Sequence, residues 1–373
     1  MLEIARDLLP LARSGSPVAV VTVTRVASSA PRGVGAAMAV TGDGAVLGSI
    51  SGGCVEADAV VLAHAALATG RPQSARFGFD DAAAHAAGLA CGGQVDVLAQ
   101  RLDPADTITM RALEDAAADK PAVLAVVTTG PHTGLTVDAT TLDAATTACL
   151  ADRETRILPG GYDGADLLVL QRAPRARLIV LGAGEHAAAL CQVGAAAGFA
   201  VTVCDPWATL VTRERFPAAD ELVVALPHEY LAGPAAHETD ARTAVCVLTH
   251  DERLDVPAIG QALSMPVGFV GAMGARATVA HRADRLRDAG VDDVDLARLH
   301  SPLGLDLGGS NPVETALSVL AEIVASQHGG SGRPLREASG PIHRGSAVVP
   351  HPRAATCPAP TTQSLARPGG TRP

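Results

Sequence analysis

One stretch, residues 178–205, constrains the fold of this chain more than any other. It reads LIVLGAGEHAAALCQVGAAAGFAVTVCD: an apolar run, a glycine turn, a helix of small residues, and a second apolar run that ends in an acid. That order is typical of a βαβ unit that holds a nucleotide phosphate. The sequence therefore predicts an α/β fold whose second half contains a doubly wound parallel sheet.

The residues of the glycine turn each suit phosphate binding. Gly182 permits the tight bend, Gly184 lets the backbone approach a pyrophosphate, and the small Ala187 lets helix and strand pack closely. From Glu185 onward, free N–H groups and the positive end of the helix dipole would face the phosphate. Asp205 lies near the usual spacing for a carboxylate that accepts from a ribose hydroxyl. A purely structural glycine turn is the alternative interpretation.

Further candidate residues follow later strands of the same sheet. Ligands of an open parallel sheet bind where the carboxyl ends of its strands meet. We therefore expect one crevice to be lined by His250, Asp251, Gly271, Gly274 and Arg276. The Arg276 guanidinium suits a phosphate because it forks onto two oxygens. The alternatives are a solvated charge or an ion pair with Asp251 for Arg276, and a hydrogen-bonded residue that closes a strand for His250.

A glycine-rich stretch in the first half, residues 48–58, carries a cysteine. It reads GSISGGCVEAD, so Gly52 and Gly53 leave the backbone bare beside Cys54, at or just before the start of a helix. The helix dipole stabilises a thiolate there, which makes it a better nucleophile or a ligand for a soft metal. Cys54 is thus a candidate contact for a soft metal or for sulfur. A small buried residue in a tight turn is the alternative.

A second segment of the same kind spans residues 88–98. In GLACGGQVDVL, Cys91 precedes two glycines and then an alternating strand. Two such turns in one domain could place two sulfurs and bare backbone on one pocket. Cys91 is therefore a second candidate ligand-binding residue.

Composition excludes several classes of protein. The net charge of −10 argues against a nucleic-acid surface, because binding to a phosphate backbone needs clustered Lys and Arg. The N-terminus does not resemble a secretory signal, and no apolar stretch reaches membrane-spanning length. The seven cysteines are scattered without a CxxC pair, which disfavours a disulfide framework and indicates a reducing cytoplasm. Aromatic residues make up only 2 %, so the cores must be built from Ala, Val and Leu.

The pattern of elements predicts two domains and a tail. Residues 1–172 read as a mixed α+β domain, and a polar linker, QRAPRAR, separates them from a Rossmann-like domain at 177–328. From residue 329 to 373 the chain is rich in Pro, Gly, Ser and Arg without an apolar period, which predicts disorder.

Two local predictions bear on the packing. Residues 163–170 read as an edge strand of the first domain. In the second domain, Asn311 and Glu314 form a capping box that begins the last helix. The residues expected on the buried stripe of that helix are Leu317, Leu320, Ile323 and Val324.

Several of these motifs together resemble one known family. They are SSAPRGVG, GSISGGCVE and CGGQVDV in the first half, followed by GAGEH, VCDP, RFPA, LTHD, VGAMGAR, PLGLDLG and AEIVA in the second. In this order, over about residues 1–328, the chain resembles the XdhC/CoxI family. One departure is Trp207, which stands where the family pattern has an arginine. Trp207 would either stack on a flat ring or pack.

The resemblance implies an accessory protein of molybdenum hydroxylases such as xanthine dehydrogenase and carbon monoxide dehydrogenase. Such a protein binds the molybdenum cofactor, protects it during sulfuration by a cysteine desulfurase, and passes it to the apo-enzyme. A homodimer is a further candidate assembly. The cofactor joins a phosphate-bearing pterin to a dithiolene-bound metal, for which a helix N-terminus and thiols are suitable contacts.

Two functions therefore compete. The first is a cofactor chaperone that turns over no substrate. The second is an oxidoreductase that uses NAD(P), which would explain the βαβ unit but leave both Gly-Gly cysteine turns without a role.

Overall fold

The computed structural model describes residues 1–27, 31–78, 94–138, 142, 154–233 and 239–339. The chain divides into two compact units between Pro174 and Arg175. Cys91 and most of the predicted tail, including Cys357, lie outside the described residues. The described start of that tail, residues 329–339, is exposed and contains one short 3-10 helix, Leu335–Glu337.

The first unit is built on two antiparallel sheets. A five-stranded sheet has the order β3-β2-β1-β5-β4, and a four-stranded sheet has the order β7-β6-β9-β8. After a 3-10 turn at Leu2–Ile4, the elements are α1 Ala5–Arg13, β1 Val18–Ala27, β2 Ala37–Thr41, β3 Val46–Gly48, α2 Glu56–Thr69, β4 Gln73–Gly78, β5 Gln94–Arg101, α3 Thr107–Ala117, β6 Ala122–Val127, β7 Thr136–Val137, β8 Arg156–Tyr162 and β9 Ala165–Arg172.

The prediction of an edge strand at residues 163–170 is wrong. Strand β9 lies inside the four-stranded sheet, between β6 and β8. Its side chains alternate between two cores: Leu168 and Leu170 pack with α1 and α3, whereas Leu167 and Val169 pack with the opposite face of β6. Burial on both faces explains the continuous apolar run, which an edge strand does not need.

The second unit is a doubly wound α/β sheet, as the sequence predicts. All neighbouring strands are parallel, in the order β12-β11-β10-β13-β14-β15. The elements are β10 Arg177–Leu181, α4 Glu185–Ala196, β11 Ala200–Asp205, β12 Glu221–Val224, α5 Pro227–Ala232, β13 Ala244–Val247, α6 Glu252–Ser264, β14 Phe269–Ala272, α7 Arg276–Asp288, α8 Asp293–Leu296, β15 Leu299–His300 and α9 Pro312–His328.

The strand order places a topological switch point between β10 and β13. From β10 the chain builds one side of the sheet through β11 and β12, then returns to add β13, β14 and β15 on the other side. Alternate residues of β10 serve the two faces: Leu178 and Val180 pack against α4 and α9, whereas Ile179 and Leu181 pack against α6. In such sheets the crevice for a ligand opens at the carboxyl ends of the strands that flank the switch point.

Helix α9 begins as predicted but presents a different face to the core. The reciprocal bonds of the Asn311–Glu314 capping box are both present. Of the expected buried stripe, Ile323 is buried and Leu320 is partly buried against the same core, but Leu317 and Val324 are 49 % and 42 % exposed. The residues that pack toward α4 beside Ile323 are Ala316 and Val319. Their smaller side chains suit close packing of two helices. The predicted residues and the observed ones both follow the helical period, so the period alone did not show which set is buried.

Candidate functional site

The glycine turn after β10 is held in place by the segment that follows the adjacent strand β13. Gly182 has φ +111°, and a Cβ atom on it would lie 2.9–3.0 Å from backbone atoms of Leu248 and Thr249. Its N–H donates to the Cys204 carbonyl at 2.8 Å, and the Leu248 N–H donates to the Leu181 carbonyl at 2.7 Å. Only glycine combines this φ with so close an approach of two backbones.

Asp205 holds the turn together from the end of β11. Its side chain is buried, and one carboxylate oxygen accepts from the Ala183 N–H at 3.0 Å. The other oxygen accepts from the Trp207 N–H at 2.9 Å. The indole that follows is 66 % exposed. Asp205 thus links the glycine turn to an exposed aromatic side chain, and its contact with a ribose stays a prediction.

The start of α4 leaves backbone N–H groups open to an approaching ligand. Gly184 is the N-cap residue, and no atom lies within 4 Å of a Cβ atom built on it. Among the described residues, no acceptor bonds the N–H groups of Glu185, His186 or Ala187. Free donors at the positive end of a helix dipole attract phosphate groups.

The loop after β13 carries the predicted His250 and Asp251. His250 is exposed and adopts φ +60°, which is uncommon for a residue other than glycine. Asp251 caps α6 through the Arg253 N–H at 3.0 Å and pairs with the Arg253 side chain at 2.7 Å. The hydrogen bond from Arg253 lowers the pKa of Asp251. Asp251 is therefore paired with Arg253 instead of Arg276.

The loop after β14 places Arg276 at the first position of α7. Arg276 is exposed, and within the described residues no carboxylate pairs with it. Gly271 lies inside β14, where a Cβ atom would fall 2.3 Å from Leu303, so this glycine is explained by packing. A Cβ atom on Gly274 would lie 2.8 Å from the Arg282 guanidinium.

Behind these two loops lies a buried ion pair that the sequence analysis missed. Asp255 of α6 and Arg282 of α7 are 3.6 Å apart, and their side chains are 5 % and 12 % exposed. The Thr249 hydroxyl donates to Asp255, while Arg282 donates to the Ser301 hydroxyl at 2.8 Å and the Met273 carbonyl at 2.7 Å. Burial raises the pKa of Asp255. Asp255 stands at helical spacing before the buried Ala258, Ile259 and Ala262, and this position on the apolar face of α6 was the sequence signal for a buried charge.

In the first unit, a single carboxylate organises the cysteine loop. Glu56, the first residue of α2, turns back toward residues 49–55 and accepts hydrogen bonds of 2.5–3.2 Å from that loop. The donors are the hydroxyls of Ser49 and Ser51 and the N–H groups of Ile50, Ser51, Gly52, Gly53 and Val55. Partial burial acts to raise the pKa of Glu56, but the serine hydrogen bonds prevail and hold it at about 2.

This loop presents Cys54 to solvent. The Cys54 N–H donates to the Ser51 hydroxyl at 3.0 Å, and the residue stands two positions before the start of α2. Cys54 is exposed, so the alternative of a small buried residue does not apply. Gly52 and Gly53 have φ +81° and +124°, and no atom lies within 4 Å of a Cβ atom built on either. The loop therefore offers one soft donor beside uncovered backbone.

The described residues hold no group of three or more His, Cys, Asp or Glu side chains placed to bind a metal ion. Among those residues, Cys54 is a single exposed soft donor, which could contact a metal that other ligands already hold.

Comparison with known proteins identifies relatives of both halves. The family model of the XdhC Rossmann domain matches residues 178–323, and that of the XdhC and CoxI family matches residues 11–78. A probable xanthine dehydrogenase subunit from Bacillus subtilis is 29% identical over 320 residues, 82% of this chain and 92% of that protein. The molybdenum cofactor insertion chaperone PaoD from Escherichia coli is 27% identical over 317 residues, 84% of each chain.

Among solved structures, the crystal structure of a xanthine dehydrogenase from Bacillus halodurans shares the fold. Its TM-score is 0.68 at 22% identity, with 86% of this chain and 95% of that chain covered. Within the described ranges, none of the helices combines the length and apolar character that crossing a membrane requires.

Proposed function

Because this chain belongs to the XdhC and CoxI family, we propose that it is an accessory protein that binds molybdenum cofactor as cargo. In this role the protein holds the cofactor, supports its sulfuration and delivers it to a molybdenum hydroxylase such as xanthine dehydrogenase or carbon monoxide dehydrogenase. It turns over no substrate of its own.

The observation that carries the proposal is the exposed Cys54 on a loop built around Glu56. The Glu56 carboxylate fixes the loop backbone from Ser49 to Val55, so the thiol is held at a defined position at the start of a helix. A thiolate is a suitable contact for a soft metal or for a sulfur ligand. In the proposed complex, Cys54 contacts the molybdenum or its terminal ligand and shields it from solvent. Cys91 is the second candidate contact.

The second unit supplies an anion site with the chemistry that a pterin phosphate needs. The N–H groups at the start of α4 would bind the phosphate, with Gly182 and Gly184 keeping side chains away from the approach. Arg276 would supply a positive charge after β14. Trp207, whose backbone is fixed by Asp205, would provide an apolar surface beside the bound phosphate. The candidate cofactor-binding set is completed by Glu185, His250, Asp251 and Gly274, whereas the packing of Gly271 against Leu303 removes Gly271 from it.

The competing function, an NAD(P)-dependent oxidoreductase, is favoured by the strand order of the second unit, which is that of dinucleotide-binding domains. In those domains the acid after the second strand accepts from a ribose hydroxyl. Here both oxygens of that acid, Asp205, already accept backbone N–H groups and the side chain is buried. We therefore favour the cofactor chaperone.

The proposal places the protein in the cytoplasm. Its partners there are the apo-subunit of the hydroxylase and a cysteine desulfurase that supplies the terminal sulfido ligand. Two copies of the chain could form a homodimer.

The test is to purify the protein from cells that make the cofactor and to measure bound pterin and molybdenum. We expect the wild type to carry both, and Cys54→Ser to lose most of its molybdenum. Cys246→Ala, which removes a buried thiol from β13, is the matched control and should keep its cargo. Titration with NADH should leave the nicotinamide fluorescence unchanged. Tight NADH binding with hydride transfer to an acceptor, and no bound pterin, would overturn the proposal.

A further inference from the structure

The first unit contains a cleft that the cysteine loop does not use. Its volume is about 450 Å³, within the range of small-molecule sites. One wall comes from β1, β4 and β5 of the five-stranded sheet, and the other from the four-stranded sheet and the turn after β6. The lining residues are Thr24, Arg25, Ser74, Ala75, Arg76, Asp96, Val97, Thr128, Thr129, Ile157 and Asp166.

A β-bulge shapes the first wall. Val23 pairs with Val97, but the next pair is Arg25 with Asp96, so Thr24 is an extra residue in β1. The Thr24 hydroxyl donates to the Asp96 carbonyl at 3.1 Å. Bulges bend a strand locally and re-aim its side chains, and they are frequent beside binding sites. This bulge brings Arg25 opposite Asp96 at the edge of the cleft.

This wall carries a net positive charge, because Arg25 and Arg76 face the single carboxylate of Asp96. Arg76 binds both carboxylate oxygens of Asp96, at 2.5 and 3.0 Å. Hydrogen bonding by Arg76 lowers the pKa of Asp96, and the charge of Arg25 contributes. Among the described residues, no carboxylate lies within ion-pair distance of Arg25. One guanidinium therefore remains available to an acceptor in the cleft.

The second wall presents an oriented carboxylate. The backbone N–H of Asp166 donates to the Thr129 hydroxyl at 2.8 Å, and the backbone carbonyl of Asp166 accepts from the Thr128 hydroxyl at 3.1 Å. Oδ1 of Asp166 accepts from the Gly160 N–H at 3.2 Å, within the irregular part of β8. Oδ2 has no partner among the described residues. Asp166 is thus fixed by its backbone while its carboxylate keeps room for two further donors.

We infer that this cleft binds an aminopyrimidinone ring, the ring that pterins and guanine share. Its adjacent ring N–H and exocyclic NH₂ groups match the two oxygens of one carboxylate, here Asp166. Its carbonyl oxygen is an acceptor for Arg25, and the hydroxyl of Ser74 lies on the same lining. Given the proposed function, the ring belongs to the pterin of the cargo, and the cleft recognises the cargo by its organic part.

The experiment uses pterin and lumazine, which differ at one position. Lumazine has a carbonyl group where pterin has the exocyclic NH₂, so it offers Asp166 an acceptor instead of a donor. Full-length protein is made in cells that lack cofactor synthesis and is titrated with each compound by calorimetry. We expect saturable binding of pterin and at least about tenfold weaker binding of lumazine, the ratio for one lost charge-assisted hydrogen bond. Equal affinities on the wild type would overturn the inference without any variant.

Substitutions in the lining test whether pterin binds in this cleft. Asp166→Asn should weaken pterin about tenfold and improve lumazine, because the amide NH₂ can donate to the lumazine carbonyl. Arg25→Gln should weaken both compounds. Asp7→Asn and Arg71→Gln change exposed charges outside the lining and should leave both affinities unchanged. Pterin binding that is insensitive to Asp166→Asn, or no saturation at millimolar pterin, would overturn the inference.

Two comparisons separate this inference from the proposed function. If the wild type purifies with pterin and molybdenum but the cleft variants keep that cargo, the cleft is not its ring site and the accessory function stands. If pterin binds in the cleft but no molybdenum co-purifies, the ring site stands and the accessory function falls. Guanosine presents the same ring N–H, NH₂ and carbonyl groups as pterin. If guanosine binds more tightly than pterin, the cleft is a nucleotide site, and its assignment to the cargo is overturned.

Discussion

The Glu56 carboxylate accepts a hydrogen bond from the Ser51 hydroxyl at 2.5 Å, and this bond ties the first residue of α2 to the loop that precedes it. The same hydroxyl accepts from the Cys54 N–H at 3.0 Å. One carboxylate thus fixes, through one serine, the backbone that carries the exposed thiol. The position of Cys54 depends on the charge state of Glu56.

This dependence predicts a loss of stability in acid. Hydrogen bonds from the loop lower the pKa of Glu56 from its ordinary 4.5 to about 2. A carboxyl group with a depressed folded-state pKa stabilises the fold fully above its unfolded-state pKa, and this stability is lost as the pH falls through the folded-state value. The contribution at neutral pH is on the order of 2 kcal/mol after allowance for solvent screening.

The measurement is urea unfolding of wild type and Glu56→Gln between pH 7 and pH 2. The wild type should be more stable at pH 7, and the difference should shrink between about pH 4.5 and pH 2. Glu114→Gln, which removes an exposed ion pair with Arg13, is the control and should change stability by less than about 1 kcal/mol. A difference between Glu56→Gln and wild type that is independent of pH would contradict the assignment.

Alkylation of native protein should distinguish Cys54 from the buried cysteines. Cys54 is exposed, whereas Cys191, Cys204 and Cys246 are buried. Burial raises the pKa of Cys191 to about 11 and that of Cys204 to about 12, so these thiols are both inaccessible and protonated at neutral pH. Peptide mapping after brief treatment with iodoacetamide should find label on Cys54 and none on these three. Urea should make all four react, and early label on Cys246 would contradict the burial.

The parts of the fold that were predicted from the sequence depend on residues that lie close together along the chain. The βαβ unit from β10 to β11 follows from consecutive residues, because an apolar strand, a glycine turn and a helix start are each defined within a few positions. The same reasoning found Asn311 at the start of α9 and placed Cys54 just before α2. In each case the decisive contacts lie within a few residues of one another along the chain.

The features that the sequence did not predict depend on distant partners. Asp255 meets Arg282 only because α6 and α7 pack on the same face of the sheet. The cleft in the first unit depends on a bulge in the pairing of β1 with β5 and on a turn of the other sheet. Local patterns carry no information on such register shifts or helix contacts. The role of Glu56 was not predicted either, although a glutamate just after a Ser-Gly-Gly loop is a local signal that could have indicated it.

Alanine at Gly182 and alanine at Gly184 of the glycine turn should affect different properties: the first should lower stability and the second should weaken phosphate binding. Gly182→Ala places a methyl group 2.9 Å from the Leu248 backbone at φ +111°, so we expect a loss of about 2 kcal/mol or more. Gly184→Ala meets no atom within 4 Å and should cost only about 1 kcal/mol or less, the loss expected for alanine at an N-cap. Its methyl group should instead weaken phosphate binding at α4. Thermal unfolding and titration with inorganic phosphate measure the two effects, and equal destabilisation by both would contradict the geometry.

Removal of one partner of the buried ion pair should strongly destabilise the second unit. Asp255→Ala leaves the Arg282 guanidinium buried without its counter-charge, and breaking such a pair costs about 3–5 kcal/mol. The double variant Asp255→Leu, Arg282→Met removes both charges and should recover part of the loss. Chemical unfolding of the wild type, Asp255→Ala, the double variant and its two single variants, Asp255→Leu and Arg282→Met, measures the effect. A double variant that is as unstable as the sum of its single variants would show that the two side chains do not act as a pair.

Trp207 should report directly on the occupancy of the crevice. It is the single tryptophan of the chain, its side chain is 66 % exposed, and its backbone is held by Asp205 beside the glycine turn. A cargo whose phosphate binds at the start of α4 would displace water from the exposed indole and change its fluorescence. We expect such a change when cofactor is added to the wild type, and a weaker affinity for Trp207→Ala than for Trp207→Phe, since Phe keeps an apolar surface. Unchanged fluorescence on a protein that demonstrably carries cofactor would show that the cargo does not reach this crevice.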